Sequence, residues 1–209
     1  MRIKIILCLL TFVSILVSCG GLPISQQLVK IDSLLAEGKN DYAYHFISKY
    51  DAASLPNEED RAYYNLLMTR AAIEREFYPS SDSLINEAIR YYKIAGDRER
   101  LACCYYYKGE YYIYHRDWSK AIVVMKQAEE QVVQTKNDWM KYKIYYAIGR
   151  INQRCGNYLL GVKYEQKALR YVLQTNNWED IANIYMQIAD NYANLGQVDS
   201  AAYYTKKME

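Results

Sequence analysis

Residue types that commonly carry catalysis or bind metal are sparse in this sequence. His45 and His115 are its only histidines, and neither belongs to a His, Cys, Asp or Glu group with metal-ligand spacing. Phosphate-binding glycine loops and nucleophile-elbow motifs are also absent from the sequence. His115 precedes Arg116 and Asp117 at a predicted helix end, where a cation complements the helix dipole. The sequence therefore predicts a protein that is not an enzyme and uses no cofactor or metal.

Three cysteines follow residue 100, and their spacing contains no CxxC pair. Cys103 and Cys104 are neighbours on one helix and point about 100° apart. Cys155 is predicted at the opposite end of a helix in the next repeat, too far away for a disulfide. We expect three free thiols that behave as small buried apolar side chains.

The N-terminus has the pattern of an export signal. Arg2 and Lys4 precede an apolar run over residues 5–17, which is shorter than the roughly 20 residues that span a bilayer. The segment 16–19, Leu-Val-Ser-Cys, resembles the bacterial lipoprotein lipobox. This resemblance implies a signal peptide over 1–18, a diacylglyceryl group on the Cys19 sulfur, and a tether over 19–23. An ordinary signal peptide cut near Ser18, with Cys19 unmodified, is the alternative.

The lipobox resemblance also implies a location. The protein would be a lipid-anchored resident of the bacterial cell envelope, held to the bilayer by acyl chains on Cys19. Gly20 stands where an Asp would resemble an inner-membrane retention signal, which favours the periplasmic face of the outer membrane.

The charge of the chain argues against nucleic acid as a partner. Loss of Arg2 and Lys4 with the signal peptide reduces the 26 basic residues to 24, equal to the 24 acidic residues. Nucleic-acid-binding domains carry a clustered excess of Lys and Arg, and this chain has none.

A block of residues recurs every 40 positions, over 105–112, 145–152 and 185–192. A small residue occupies the same place in each copy, as Gly109, Gly149 and Ala189. A glycine inside a helix costs about 1 kcal/mol relative to alanine, so its recurrence predicts a close approach of two helices. A fixed period of this length is typical of stacked helical units that share one core.

The repeat is similar to the tetratricopeptide signature, W-x2-L-G-x2-Y followed by A-x3-F. Tyr replaces Trp at 105, 145 and 185, and Glu165 and Thr205 depart from the expected aromatic residue. The period is 40 residues instead of 34, which resembles the long-repeat subgroup. The resemblance implies an all-α, right-handed solenoid of about five helix pairs over 24–209, clearest at 98–135, 139–175 and 178–209. The combination of an export signal, a lipobox-like segment and tyrosine-rich repeats resembles exported tetratricopeptide proteins of Bacteroidetes-type bacteria.

In this family the first helix of each pair lines a concave groove. We expect Tyr105, Gly109 and Tyr112 to mark the packing side, and residues rotated away from them to face the groove. The candidate protein-binding residues are Tyr63, Arg70, Tyr106, Glu110, Tyr146, Arg150, Met186 and Asp190, with Leu66, Tyr114, Arg154 and Asn194 on the same faces. Aromatic rings mixed with both signs of charge suit an extended peptide or a partner helix.

Two functions remain open at this point. The first is a non-enzymatic scaffold that binds proteins or peptides at the cell envelope. The alternative is a periplasmic sensory or ligand-binding input domain of a membrane-associated regulator that continues beyond residue 209. The last predicted helix is short and would leave Ala201, Tyr204 and Met208 partly uncovered, so we expect another chain or further sequence to cover that end.

Overall fold

The computed structural model describes residues 24–175 and 177–208, which form ten α-helices and one short 3₁₀ helix without any strand. The predicted all-α class is therefore confirmed, whereas the signal peptide, Cys19 and the tether lie outside the described residues. None of the described helices is long and apolar enough to cross a membrane. The helices are α1 (Ile24–Ala36), α2 (Asn40–Ile47), α3 (Glu58–Glu74), α4 (Ser83–Ala95), α5 (Arg98–Tyr114), α6 (Trp118–Val132), α7 (Asp138–Arg154), α8 (Tyr158–Val172), α9 (Trp178–Asn194) and α10 (Val198–Lys206), with the 3₁₀ helix at Ala52–Ser54.

Side-chain caps fix where the first helix of each repeat begins. Asp97, Asn137 and Asn177 stand 40 residues apart, and each accepts a hydrogen bond from the backbone N–H three residues later. Asn57 caps α3 in the same way, with 2.8 Å between its Oδ1 and the Asp60 nitrogen. Such a cap satisfies a backbone donor that the helix leaves unpaired. Short local sequence patterns therefore determine where each repeat of the solenoid begins.

The turn inside each pair is also repeated, at positions 76, 116, 156 and 196. All four residues have positive φ, between 57° and 76°. At 116, the N–H of Asp117 donates to the carbonyl of Tyr112 at 2.9 Å, the six-residue bond of a Schellman motif. Gly156 and Gly196 adopt this conformation without a steric penalty, whereas Glu76 and Arg116 carry a Cβ there.

The two helices of a pair touch where the sequence places its small residue. A Cβ added to Gly109 would lie 2.6 Å from Cε of Met125, and one added to Gly149 would lie 2.7 Å from Cγ of Glu165. Real Cβ atoms do not approach other heavy atoms so closely, so the predicted close approach of the helices is confirmed.

The core passes from one repeat to the next through shared helices. On α3, Leu66 packs with the following repeat and Leu67 with the preceding one. On α7 the order is reversed, since Ile144 packs with the preceding repeat and Tyr145 with α8 and α9. By contrast, α10 contains no buried residue. Ala201, Tyr204 and Met208 are therefore only partly covered within the described chain, and what covers them stays a prediction.

Three sequence expectations fail in the structure. The spacing of Phe46 with Ala43 and Ile47 predicts that its ring faces inward, but Phe46 is exposed. Cys155, expected to be a buried thiol, is exposed as well.

The adjacent acids Glu129 and Glu130 predict a solvated face, but Glu129 is buried because α8 packs beside it. There it pairs with Lys126 of its own helix, with Lys167 at 3.5 Å, and accepts a hydrogen bond from the Tyr164 hydroxyl. These partners lie up to 38 residues away, so local periodicity does not reveal them.

Glu165 is a fully buried carboxyl with no cation beside it. The Asn191 amide nitrogen donates to its two oxygens at 3.0 and 2.8 Å, and the amide oxygen of Asn191 has no partner in the described structure. Burial raises the pKa of Glu165 from 4.5 to about 7, although the Asn191 hydrogen bond opposes this. A protonated carboxyl supplies a donor that this amide oxygen lacks.

This burial predicts a stability that falls as the pH rises. Because the folded pKa of about 7 exceeds the unfolded value of 4.5, the stabilisation is complete below pH 4.5 and is lost as pH rises through 7. Glu165→Gln should weaken this dependence and raise the free energy of unfolding at pH 8. Urea unfolding from pH 4.5 to 8 checks this, with exposed Glu130→Gln as the matched control. Equal pH profiles for wild type and Glu165→Gln would contradict it.

Candidate partner-binding groove

A cavity of about 1220 Å³ runs along the first helices of the pairs, with residues from α1, α3, α5, α7 and α9 in its wall. We call it the groove. Six of the eight candidate residues line it: Tyr63, Arg70, Tyr106, Glu110, Tyr146 and Arg150. Leu66 lines it too. Their role in binding stays a prediction, but the structure brings these side chains to one surface.

Met186 and Asp190 do not line the groove. The contribution of α9 comes from Asp180 and Asn183, nearer its N-terminus. Asp190 follows Asn183 by seven residues, about two turns, and so lies on nearly the same helix face. The expected face was therefore nearly right, but the cavity does not extend that far along the helix.

Sequence reasoning missed part of the α7 wall. Trp139 and Lys143 also line the groove, and their spacing continues the line of Tyr146 and Arg150 toward the start of the helix. Residues at intervals of three and four share a helix face, so extending the Tyr146–Arg150 pattern backward would have identified them.

One end of the groove is closed by a network of paired polar groups. Arg70 donates to Asp32 at 2.8 Å and to Glu74 at 3.2 Å. The Tyr63 hydroxyl donates to Asp32 at 2.6 Å, and the Tyr107 hydroxyl donates to Glu74 at 2.5 Å. These bonds tie α1, α3 and α5 together. The charge of the Arg70 guanidinium is thus already paired with two carboxylates. We therefore call Arg70 a structural tie, because it joins helices instead of being available to a partner.

The middle of the groove is more tightly packed than expected. Tyr106 is only 8% exposed, whereas Tyr105 and Tyr112, expected on the packing side, are half-buried. The expectation that Tyr106 lies off the packing surface is wrong because α5 lies between the inner faces of α3 and α7. Tyr106 also lies beside Glu110, whose pKa is raised by burial although nearby Arg150 opposes the shift. Removing Tyr106 would therefore disturb the core.

Two cations of α7 that line the groove remain available. The Lys143 ammonium lies 5.0 Å from the centre of the Trp139 ring, and the Arg150 guanidinium lies 5.7 Å from that of Tyr146. Neither cation forms a salt bridge with a described residue. Rings that hold a cation in place without cancelling its charge form a surface suited to a partner's carboxylate.

Within 24–175 and 177–208, no His, Cys, Asp and Glu side chains are grouped to hold a metal ion. Burial raises the pKa of the Cys103 thiol in the groove wall to about 12, so it remains protonated and weakly nucleophilic at neutral pH.

Comparison with known proteins identifies the fold but not a family. No family model matches the chain, and no curated protein matches its sequence. Solved structures do match. A Podospora anserina putative kinesin light chain with nearly identical TPR-like repeats has a TM-score of 0.64 at 13% identity, covering 88% of this chain and 92% of that chain. MamA AMB-1 has a TM-score of 0.57 at 15% identity, covering 86% and 93%.

A third structure, a Rap protein complexed with Competence and Sporulation Factor, has a TM-score of 0.63 at 16% identity. The match covers 88% of this chain and 55% of that one. At these identities the likeness shows the fold alone. The chain is thus a tetratricopeptide-like α-solenoid, the class that the 40-residue repeat predicts.

The two arginines of the groove should differ sharply in their effect on stability. Arg70→Met should lower the free energy of unfolding by about 1–3 kcal/mol, because it leaves Asp32 and Glu74 without their partner. Arg150→Met, the comparison variant, should lower it by less, since it breaks no salt bridge and removes only the favourable charge beside the buried Glu110. Urea unfolding at pH 7 measures both. Equal losses would show that Arg70 is not a structural tie.

Proposed function

We propose that this protein is a non-enzymatic scaffold that holds a peptide or a helix of a partner protein in its groove. The observation that carries the proposal is the α7 wall, where two cations without ion pairs lie over aromatic rings along one accessible line. Aromatic and arginine side chains supply most of the energy at protein interfaces. In this surface they are positioned by the solenoid, and neither Lys143 nor Arg150 forms a salt bridge with a described residue.

The dimensions of the groove support a macromolecular partner. Its volume of about 1220 Å³ exceeds the roughly 300–1,000 Å³ of pockets for small ligands. Its wall includes the first helix of all five pairs, so a bound segment would contact several repeats. The complex of the structurally similar Rap protein shows that a comparable fold has been observed with a bound factor, which supports the proposal at the level of fold.

A groove variant and a matched control test this function. Trp139→Ala with Lys143→Ala removes one ring and one cation from the groove. Trp178→Ala with Lys163→Ala makes the same chemical change at exposed residues outside it. Trp139 is 41% exposed, so its removal should leave the fold intact. We expect the groove variant to lose protein partners that wild type and the control capture from envelope extract, measured by quantitative mass spectrometry. Equal capture by all three would contradict the proposal.

We also propose that the scaffold works at the cell envelope, anchored through acyl chains on Cys19. The support is the lipobox-like segment at 16–19 after an apolar run too short to span a bilayer. Several acyl chains, at about 0.8 kcal/mol per buried methylene, would hold it durably on a membrane. The periplasmic face of the outer membrane is the proposed location.

Cys19 acylation has a direct test in the native host. Wild type should incorporate labelled palmitate and sediment with outer-membrane fractions. Cys19→Ala, which removes the only acceptor sulfur of the lipobox-like segment, should lose the label and leave that fraction. Equal labelling of the two proteins would exclude the anchor without affecting the groove proposal.

A further inference from the structure

A second cavity, of about 530 Å³, opens beside the C-terminal ends of α5 and α7. Three arginines line it, Arg116, Arg150 and Arg154, and we call it the arginine pocket. It shares Tyr78, Glu110 and Arg150 with the groove, so the two cavities are adjacent. A single bound segment could occupy both.

The pocket carries an excess of positive charge. Glu110 is its only carboxyl, and that side chain is buried with a raised pKa. None of the three arginines forms a salt bridge with a described residue. Elsewhere in the groove Arg70 and Arg100 do pair with carboxylates. The local excess of positive charge is therefore a property of this pocket.

Helix-end electrostatics explain only part of the arrangement. A cation in the last turn of a helix complements the dipole, which accounts for Arg154 at the end of α7. Arg116 follows α5 at φ 57°, in the turn position where the next two repeats have Gly156 and Gly196. Its side chain therefore joins the others in the pocket from a backbone conformation that does not favour arginine.

An aromatic wall stands beside the arginines. The rings of Tyr78 and Tyr114 are stacked, with 3.9 Å between their centres and 6° between their planes, and Tyr114 is exposed. A flat apolar surface next to guanidinium groups matches an acidic residue that is adjacent to an apolar one. Guanidinium groups also bind carboxylates through paired hydrogen bonds.

We propose that the arginine pocket binds a carboxylate of an acidic peptide whose adjoining residues lie in the groove. This inference rests on the proposed function and adds to it the chemistry of the partner. Trp118 and the tyrosine stack would contact the apolar neighbours of the acidic residue, and Arg116 and Arg154 would reach it from two sides.

A displayed library of random peptides, panned on the purified chain without its signal segment, tests the proposal. Selected peptides should be enriched in Asp and Glu, and their affinity should fall with added salt. Arg116→Gly with Arg154→Gln should then weaken the best acidic peptide by about tenfold or more. Arg116→Gly introduces the residue that the next two repeats carry, so it should not impair folding.

The control and the peptide variants separate the possible outcomes. Arg90→Gln with Arg170→Gln removes the same charge from exposed positions on α4 and α8 and should bind like wild type. Replacing the acidic residue of the peptide by its amide should lower the affinity of wild type as much as the arginine substitutions do. The same replacement should not lower the affinity of the arginine variant any further. Selected peptides without acidic enrichment, or equal binding by the arginine variant, would overturn this inference alone. A chain that selects no peptides at all would overturn the proposed groove function as well.

Discussion

The close contact between the helices in two central pairs, α5–α6 and α7–α8, is the constraint on which the rest of the structure depends. At Gly109 and Gly149 the backbone of one helix lies against a side chain of the other, Met125 or Glu165, with no space for a Cβ. This contact sets the distance between the two helices of such a pair. The cap and turn residues determine where each helix begins and ends. Stacking such pairs every 40 residues brings all the first helices to one side, where their inner faces form the groove.

The sequence revealed those features that depend on local patterns. Caps, positive-φ turns and the small residues recur at fixed spacing, so the helices and their pairing could be predicted. Burial that depends on the next repeat could not. Tyr106 is enclosed by α3 and α7, Glu129 is covered by α8, and Glu165 meets Asn191 from α9.

The cations of the groove divide into two groups with different consequences. Arg70 is held by two carboxylates and joins helices, whereas Lys143 and Arg150 lie over rings without an ion pair. The first arrangement stabilises the solenoid, and the second leaves charge for a partner. A balanced net charge for the chain after residue 18 is thus compatible with a local excess of positive charge, since three arginines without a salt bridge to a described residue line the arginine pocket.

The most direct test of this account is the unfolding of Gly149→Ala compared with Gly109→Ala. Alanine favours a helix by about 1 kcal/mol over glycine, so helix propensity alone predicts that both variants gain stability. The close contact predicts instead that Gly149→Ala loses about 1–3 kcal/mol, since Glu165 is held by Asn191 and cannot move aside. Gly109→Ala should lose less, because Met125 is more flexible. A Gly149→Ala protein as stable as wild type in urea would contradict the account.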